Sequence, residues 1–143
     1  MQNVILLILL LICAVEDFKR KEVTVTYILL FGVVGVVLHL FYPNCSVYSM
    51  LWGLLLGIGV MVVSFLSHGS IGMGDGILLA VTGVYLGGYE NLELFLMGLF
   101  LAAIWSLVLL VRKKKKRKER IAFIPFLLAA YALMLVGNVR AVI

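Results

Sequence analysis

Asp17 and Asp75 are the residues of this chain best placed to do chemistry. Each stands where an apolar run meets a polar stretch: Asp17 follows Asn3–Val15 and Glu16, and Asp75 follows a segment punctuated by Gly69, Gly72 and Gly74. Two carboxyls held close together cannot both ionise cheaply, so such a pair shares one proton at intermediate pH. The ionised member can act as general base on a water while the protonated one polarises a carbonyl. That is the chemistry of an aspartyl hydrolase. Because the titration belongs to the pair, neither role falls to one Asp by sequence. Each residue also has a plainer reading. Asp17 could pair with Lys21 at i+4 as a boundary charge, and Asp75 could be the N-cap of the next helix. The single histidines, His68 and His39, read as loop residues rather than bases. No G-x-x-x-x-G-K-[ST] or G-x-G-x-x-G spacing offers a phosphate cradle.

The elements that must position this pair follow from composition. Of 143 residues, 64% are hydrophobic and 13% charged, and the mean hydropathy is +1.20. A soluble surface needs roughly twice that share of charge, so the chain reads as a multi-pass membrane protein. Six apolar segments emerge: Asn3–Val15, Val23–Phe41, Met50–Leu66, Ile77–Leu86, Leu92–Val111 and Ile121–Val136. The predicted fold is an all-α polytopic helix bundle of about six transmembrane helices, one domain over 1–143. The start of the chain reads as a retained span, since no Lys or Arg precedes its apolar run. Cys13 and Cys45 stand alone, without metal-ligand spacing, and read as packing residues.

Charge orients the bundle. The loops after spans 1, 3 and 5 hold 11 of the 12 basic residues, from Lys19, Arg20 and Lys21 and from the tract Arg112–Arg120; only Arg140 lies opposite. By the positive-inside rule these loops are cytoplasmic and both termini extracytoplasmic. The formal charge of +5 therefore reflects topology and anionic-lipid contact at Arg112–Arg120, not a nucleic-acid partner. Glycine spacings at Gly32/Gly35, Gly53/Gly57 and Gly83/Gly87 predict close helix packing.

Spans 1 and 4 are short. Met1–Val15 gives about 22 Å of helix and Ile77–Tyr89 about 20 Å, against a hydrocarbon core of ~30 Å. Each helix is expected to continue through its polar cytoplasmic end. That draws Asp17 and Asp75 to similar depth on one side, where an ionisable residue is a functional-site hypothesis. The glycines Gly72, Gly74 and Gly76 beside Asp75 suit close backbone approach, so an extended substrate could pair there as a strand does.

Gly72-Met73-Gly74-Asp75 resembles the G-x-G-D signature of intramembrane aspartyl proteases, in particular the type IV prepilin peptidases. Three blocks carry the resemblance. Asp17-Phe18-Lys19-Arg20-Lys21-Glu22-Val23 is similar to the family's Asp, basic stretch and I-P-N, with Thr24 and Val25 in place of Pro-Asn. Gly72 to Leu79 follows G-x-G-D-x-K-L-L, with Ile77 at the usual Lys. Ile121 to Leu127 resembles I-P-F-G-P-F-L, keeping Phe123, Pro125 and Phe126 but departing at Ala122 and Ile124.

The resemblance implies that Asp17 and Asp75 are the catalytic pair. It implies a hydrolase of the inner membrane that removes the short basic leader of a pilin, pseudopilin or preflagellin precursor at the cytoplasmic face. Gly72, Gly74, Gly76 and Pro125 would line the substrate site. No cofactor or metal is implied, and the paired C-x-x-C motifs of the bifunctional, N-methylating members are missing, so a short peptidase form is expected. Two rivals make different demands. A proton-coupled transporter wants ionisable groups near the middle of its spans, where this chain has no Asp, Glu, Lys or Arg. A non-enzymatic assembly subunit would tolerate Asp→Asn at both positions, since Asn caps a helix nearly as well. A catalytically inactive family member is the remaining alternative, given the departures at Thr24, Ile77 and Ile124.

Overall fold

A computed structural model describes residues 2–20, 22–43, 45–68, 72–112 and 122–142. Among them there is no strand. Six helices follow one another: α1 (Gln2–Arg20), α2 (Val25–Phe41), α3 (Val47–Leu66), α4 (Met73–Leu86), α5 (Gly88–Val111) and α6 (Ile124–Val142). The all-α expectation and the order of the segments are met, while several boundaries move. α1 does run on through its polar end to Arg20. α4 begins at Met73 rather than Ile77, yet has only 14 residues. The expected loop between spans 4 and 5 is a single residue, Gly87, whose φ of +82° lies in the left-handed region that glycine reaches without penalty.

The shortness of α4 is explained by its place. Gly76, Leu78, Leu79 and the run Val81–Tyr85 are all buried, and α4 packs against α1, α2, α3 and α5. It is the central helix of the bundle. α3 meets it across glycines: a side chain at Gly53 would lie 2.7 Å from Gly83 Cα, and one at Gly57 would overlap the backbone of Ala80. On the α2 side Gly32 faces Val81 and Gly35 faces the Tyr85 ring, whose hydroxyl donates to the Phe31 carbonyl at 2.6 Å. Gly32/Gly35 and Gly53/Gly57 thus act in helix packing, as does Gly83, whereas Gly87 serves the turn after α4 instead.

One buried polar group ties three helices together. Asn91, in the first turn of α5, donates from Nδ2 to the Gly53 carbonyl of α3 (3.2 Å) and to the Leu79 carbonyl of α4 (2.9 Å). Its Oδ1 accepts from Thr82 at 2.6 Å. Interhelical hydrogen bonds in membranes average ~0.6 and reach ~1.7 kcal/mol each. Asn91→Ala loses three and is expected to cost about 2 kcal/mol, read as a lower thermal midpoint in detergent.

The outside of the bundle is apolar. Leu29, Leu30, Val33, Leu55, Val62, Phe100, Leu107 and Leu110 all turn outward, the inverse of a soluble protein. Two helices, Val47–Leu66 and Gly88–Val111, are long and apolar enough to cross a membrane.

Candidate active site

Asp17 ends a buried stripe. Gln2, Leu6, Leu9, Leu10, Cys13 and Asp17 recur at helical spacing and are all buried, so the carboxylate points inward on the face that carries the core. It is 7% exposed. Lys19 and Arg20 lie outside; Lys21, the i+4 partner considered for Asp17, lies outside the described residues. The observed partner is different. Ile124 N–H, at the start of α6, donates to Asp17 Oδ2 at 3.1 Å, and the Phe123 amide lies beside the same carboxylate. Pro125 sits in the first turn of α6, where a missing N–H costs nothing.

Asp75 is half-buried in the first turn of α4. The N-cap there is Gly72, not Asp75; the Asp75 N–H donates to the Gly72 carbonyl at 3.1 Å. Its carboxylate folds back toward Gly72, where a side chain would come within 3.0 Å of Oδ2. Gly72 therefore leaves the carboxylate uncrowded. Gly74 and Gly76 are helical rather than part of an irregular loop. Gly76 is buried against Met61 of α3, where its missing side chain serves packing. Gly69, Ser70 and Ile71, the rest of the expected glycine loop, lie outside the described residues.

The two aspartates share one end of the bundle, linked through neighbours. Glu16 of α1 accepts the Thr24 N–H (3.2 Å) and the Thr24 hydroxyl (3.4 Å) at the N-cap of α2. Val23, next to Thr24, faces Gly74, where a side chain would lie 3.7 Å from Val23 Cβ. Gly74 precedes Asp75. The end of α1 and the starts of α2, α4 and α6 therefore converge where Asp17 and Asp75 lie. Adjacent carboxylates of α1 reach different helices: Glu16 holds α2, and Asp17 holds α6.

The site also lies below the ends of its neighbours. Gly57 opposite Ala80 and Gly76 opposite Met61 put Asp75 level with about Val62, one turn before α3 ends. Gly98 opposite Leu127 puts Ile124 level with about Leu101. Leu99, Ala102, Ala103 and Ser106 line an open apolar recess with Phe123 at that level. α5 continues to Val111, about 15 Å further along its axis at 1.5 Å per residue.

The sequence profile described as the type IV leader peptidase family matches residues 4–107. The chain belongs to the type IV leader peptidase family. The matched region contains both Asp17 and Asp75 and stops before α6. Neither a curated protein nor a solved structure matches the chain. The family makes this leader peptidase a protease, and family and apolar helices together mark it as a membrane protein.

Two groups at this end of the leader peptidase were not singled out from sequence. The Ile124 amide carries no side-chain signal; its trace was the Ile-Pro pair opening an apolar run. Glu16 is one of the charges at which the first apolar run stops. It takes the N–H that exists because Thr24 stands where the related pattern has Pro. Thr24 φ is −73°, which Pro can adopt. Glu16→Ala is expected to cost about 1 kcal/mol, the usual worth of a helix cap. In a Thr24→Pro background, which has neither donor, the same change is expected to cost almost nothing. Thermal midpoints of the four proteins check this, and equal Glu16→Ala costs in both backgrounds would refute it.

His39 corrects its reading. It is a buried residue of α2, and neither ring nitrogen has a hydrogen-bond partner among the described residues. His68 is exposed in the turn after α3 with φ 55°. Cys13 is buried; Cys45, between α2 and α3, is half-buried, and burial together with nearby Glu90 pushes its thiol up, away from a reactive thiolate. Among the described residues no cluster of His, Cys, Asp and Glu could hold a metal ion. Lys113–Arg120, the main part of the basic tract, lies outside them.

Proposed function

We propose that this leader peptidase is an aspartic-type endopeptidase using Asp17 and Asp75, and that it removes the short basic leader of a prepilin-like precursor at the cytoplasmic membrane face. The observation that carries the reading is the convergence of two helix-borne carboxylates, one buried and one beside an uncrowding glycine, at one end of an apolar bundle.

One carboxylate takes a proton from water as its oxygen attacks the scissile carbonyl carbon; the other donates a proton to the carbonyl oxygen. Collapse of that tetrahedral species breaks the C–N bond, and the leaving amine takes up a proton. A carboxylic acid and an amine result from one peptide and one water.

The helix stagger supports a shallow intramembrane site. With α5 spanning and its Val111 end at the cytoplasmic surface, Asp17 lies below that surface, where a substrate's apolar helix gives way to its basic leader. Six spans, extracytoplasmic termini, an inner-membrane location and anionic lipid at Arg112–Arg120 complete the proposal, supported by the lopsided distribution of Lys and Arg. The test is co-expression with a prepilin-like substrate, read as a mobility shift. Cleavage at the leader junction supports the reading, and cleavage undiminished by loss of either carboxylate would overturn it.

A further inference from the structure

We propose that the backbone N–H of Ile124 positions the Asp17 carboxylate for hydrolysis, a role that rests on the aspartyl-peptidase reading above. The first turn of a helix carries N–H groups without intrahelical partners. In α6 their number is reduced to one. Pro125 has no N–H, and the Phe126 and Leu127 amides both donate to the Phe123 carbonyl, at 3.0 and 3.2 Å. Ile124 N–H is the donor left over, and Asp17 Oδ2 takes it at 3.1 Å.

The consequence is geometric. Asp17 projects from the buried stripe of α1, and pinning Oδ2 to the backbone of a second helix fixes its side-chain torsions. Held there, with the Phe123 amide also beside it, the carboxyl keeps one orientation toward the reacting groups. The anchor is stiff because Pro125 locks its own φ next to the donor, and the Ile124 side chain is fully buried. α1 and α6 are also held elsewhere. The Tyr131 hydroxyl donates to the Asn3 carbonyl at 3.3 Å, and the two helices pack along their length. Their docking does not depend on the Asp17 contact alone. A backbone amide is well suited to this task, since it donates to a carboxylate and cannot titrate near neutral pH.

The test compares variants of the full chain in detergent, using a synthetic segment with a basic leader followed by an apolar helix. Ile124→Pro removes the N–H at a first-turn position where proline fits. Ile124→Ala keeps the N–H and removes most of the same buried side chain. Ile124→Pro is expected to fall about 10- to 100-fold below Ile124→Ala in kcat, the scale of a misplaced reacting group, with KM changed no more than about two-fold. Its pH profile should also move to higher pH relative to Ile124→Ala, because a carboxylate deprived of a donor ionises less readily and the limbs belong to the pair. Equal kcat and superimposable pH profiles for the two variants would overturn the proposal. Should Ile124→Pro fail to fold, an amide-to-ester replacement at position 124 removes the N–H alone and decides by the same comparison. Asp17→Asn in the same assay separates the two levels of inference. Cleavage by Asp17→Asn would sink the aspartyl reading itself; a silent Asp17→Asn beside an Ile124→Pro matching Ile124→Ala would sink only the positioning role.

Discussion

Asp17→Asn and Asp75→Asn are each expected to abolish cleavage of a prepilin-like substrate, with rates falling by about 10³-fold or more while membrane levels stay near those of the wild type. The loss follows from the chemistry: an amide neither takes the proton from water nor passes one to the carbonyl, and general acid–base catalysis contributes ~10²–10⁴-fold in such reactions. The retained fold follows from the geometry. An Asn at position 17 still offers a carbonyl oxygen to the Ile124 N–H, and one at position 75 still sits in the first turn of α4. Initial rates against substrate, with immunoblots of the membrane fraction, check both halves. The wild-type rate should trace a bell against pH whose limbs belong to the pair rather than to one carboxylate. Cleavage surviving in one mutant would remove that residue from the mechanism.

Gly57→Ala should unfold or severely weaken the bundle, whereas Gly59→Ala, two residues away on the same helix, should be neutral or slightly stabilising. A side chain at Gly57 would overlap the backbone of Ala80, and backbone cannot rotate aside. α3 and α4 would have to separate, at a cost of about 3 kcal/mol, the upper range for overpacking. At Gly59 nothing lies within 4 Å, and alanine is the better helix former by up to about 1 kcal/mol. Thermal unfolding in detergent reads the difference. Because α4 carries Asp75, activity should fall with folded fraction in the Gly57 variant; a Gly57→Ala protein as stable as the Gly59 variant would show that the close α3–α4 contact is not needed.

Much of the architecture was legible from the chain alone because lipid imposes a simple rule. Apolar runs must be helices, so six runs gave six helices in the right order. Their ends were less legible. The single-residue turn at Gly87 is flanked by contacts that form only in the bundle: Ser49 accepts the Gly88 N–H, and Asn91 joins Gly53, Leu79 and Thr82. The start of α4 at Met73 was hidden because glycines usually argue against helix, and here Gly76 is retained for contact with Met61. His39 was misread for a related reason: one-dimensional position at the end of a span says nothing about which face is covered.

Around the candidate site, residue types and spacing singled out Asp17 and Asp75, since a carboxylate at the edge of an apolar run is conspicuous against so few charges. Sequence by itself determined the helical class, the recurring small residues for packing, and the two carboxylates marked by a motif. Tertiary structure alone decided what holds them: the Ile124 amide on Asp17, the Gly72 clearance beside Asp75, and Glu16 in place of a proline start for α2. The physical reason is that side-chain chemistry is written in the residue names, whereas a backbone donor has no letter of its own. Which N–H is left unspent, and which carboxylate reaches it, is settled only when α1 and α6 pack together.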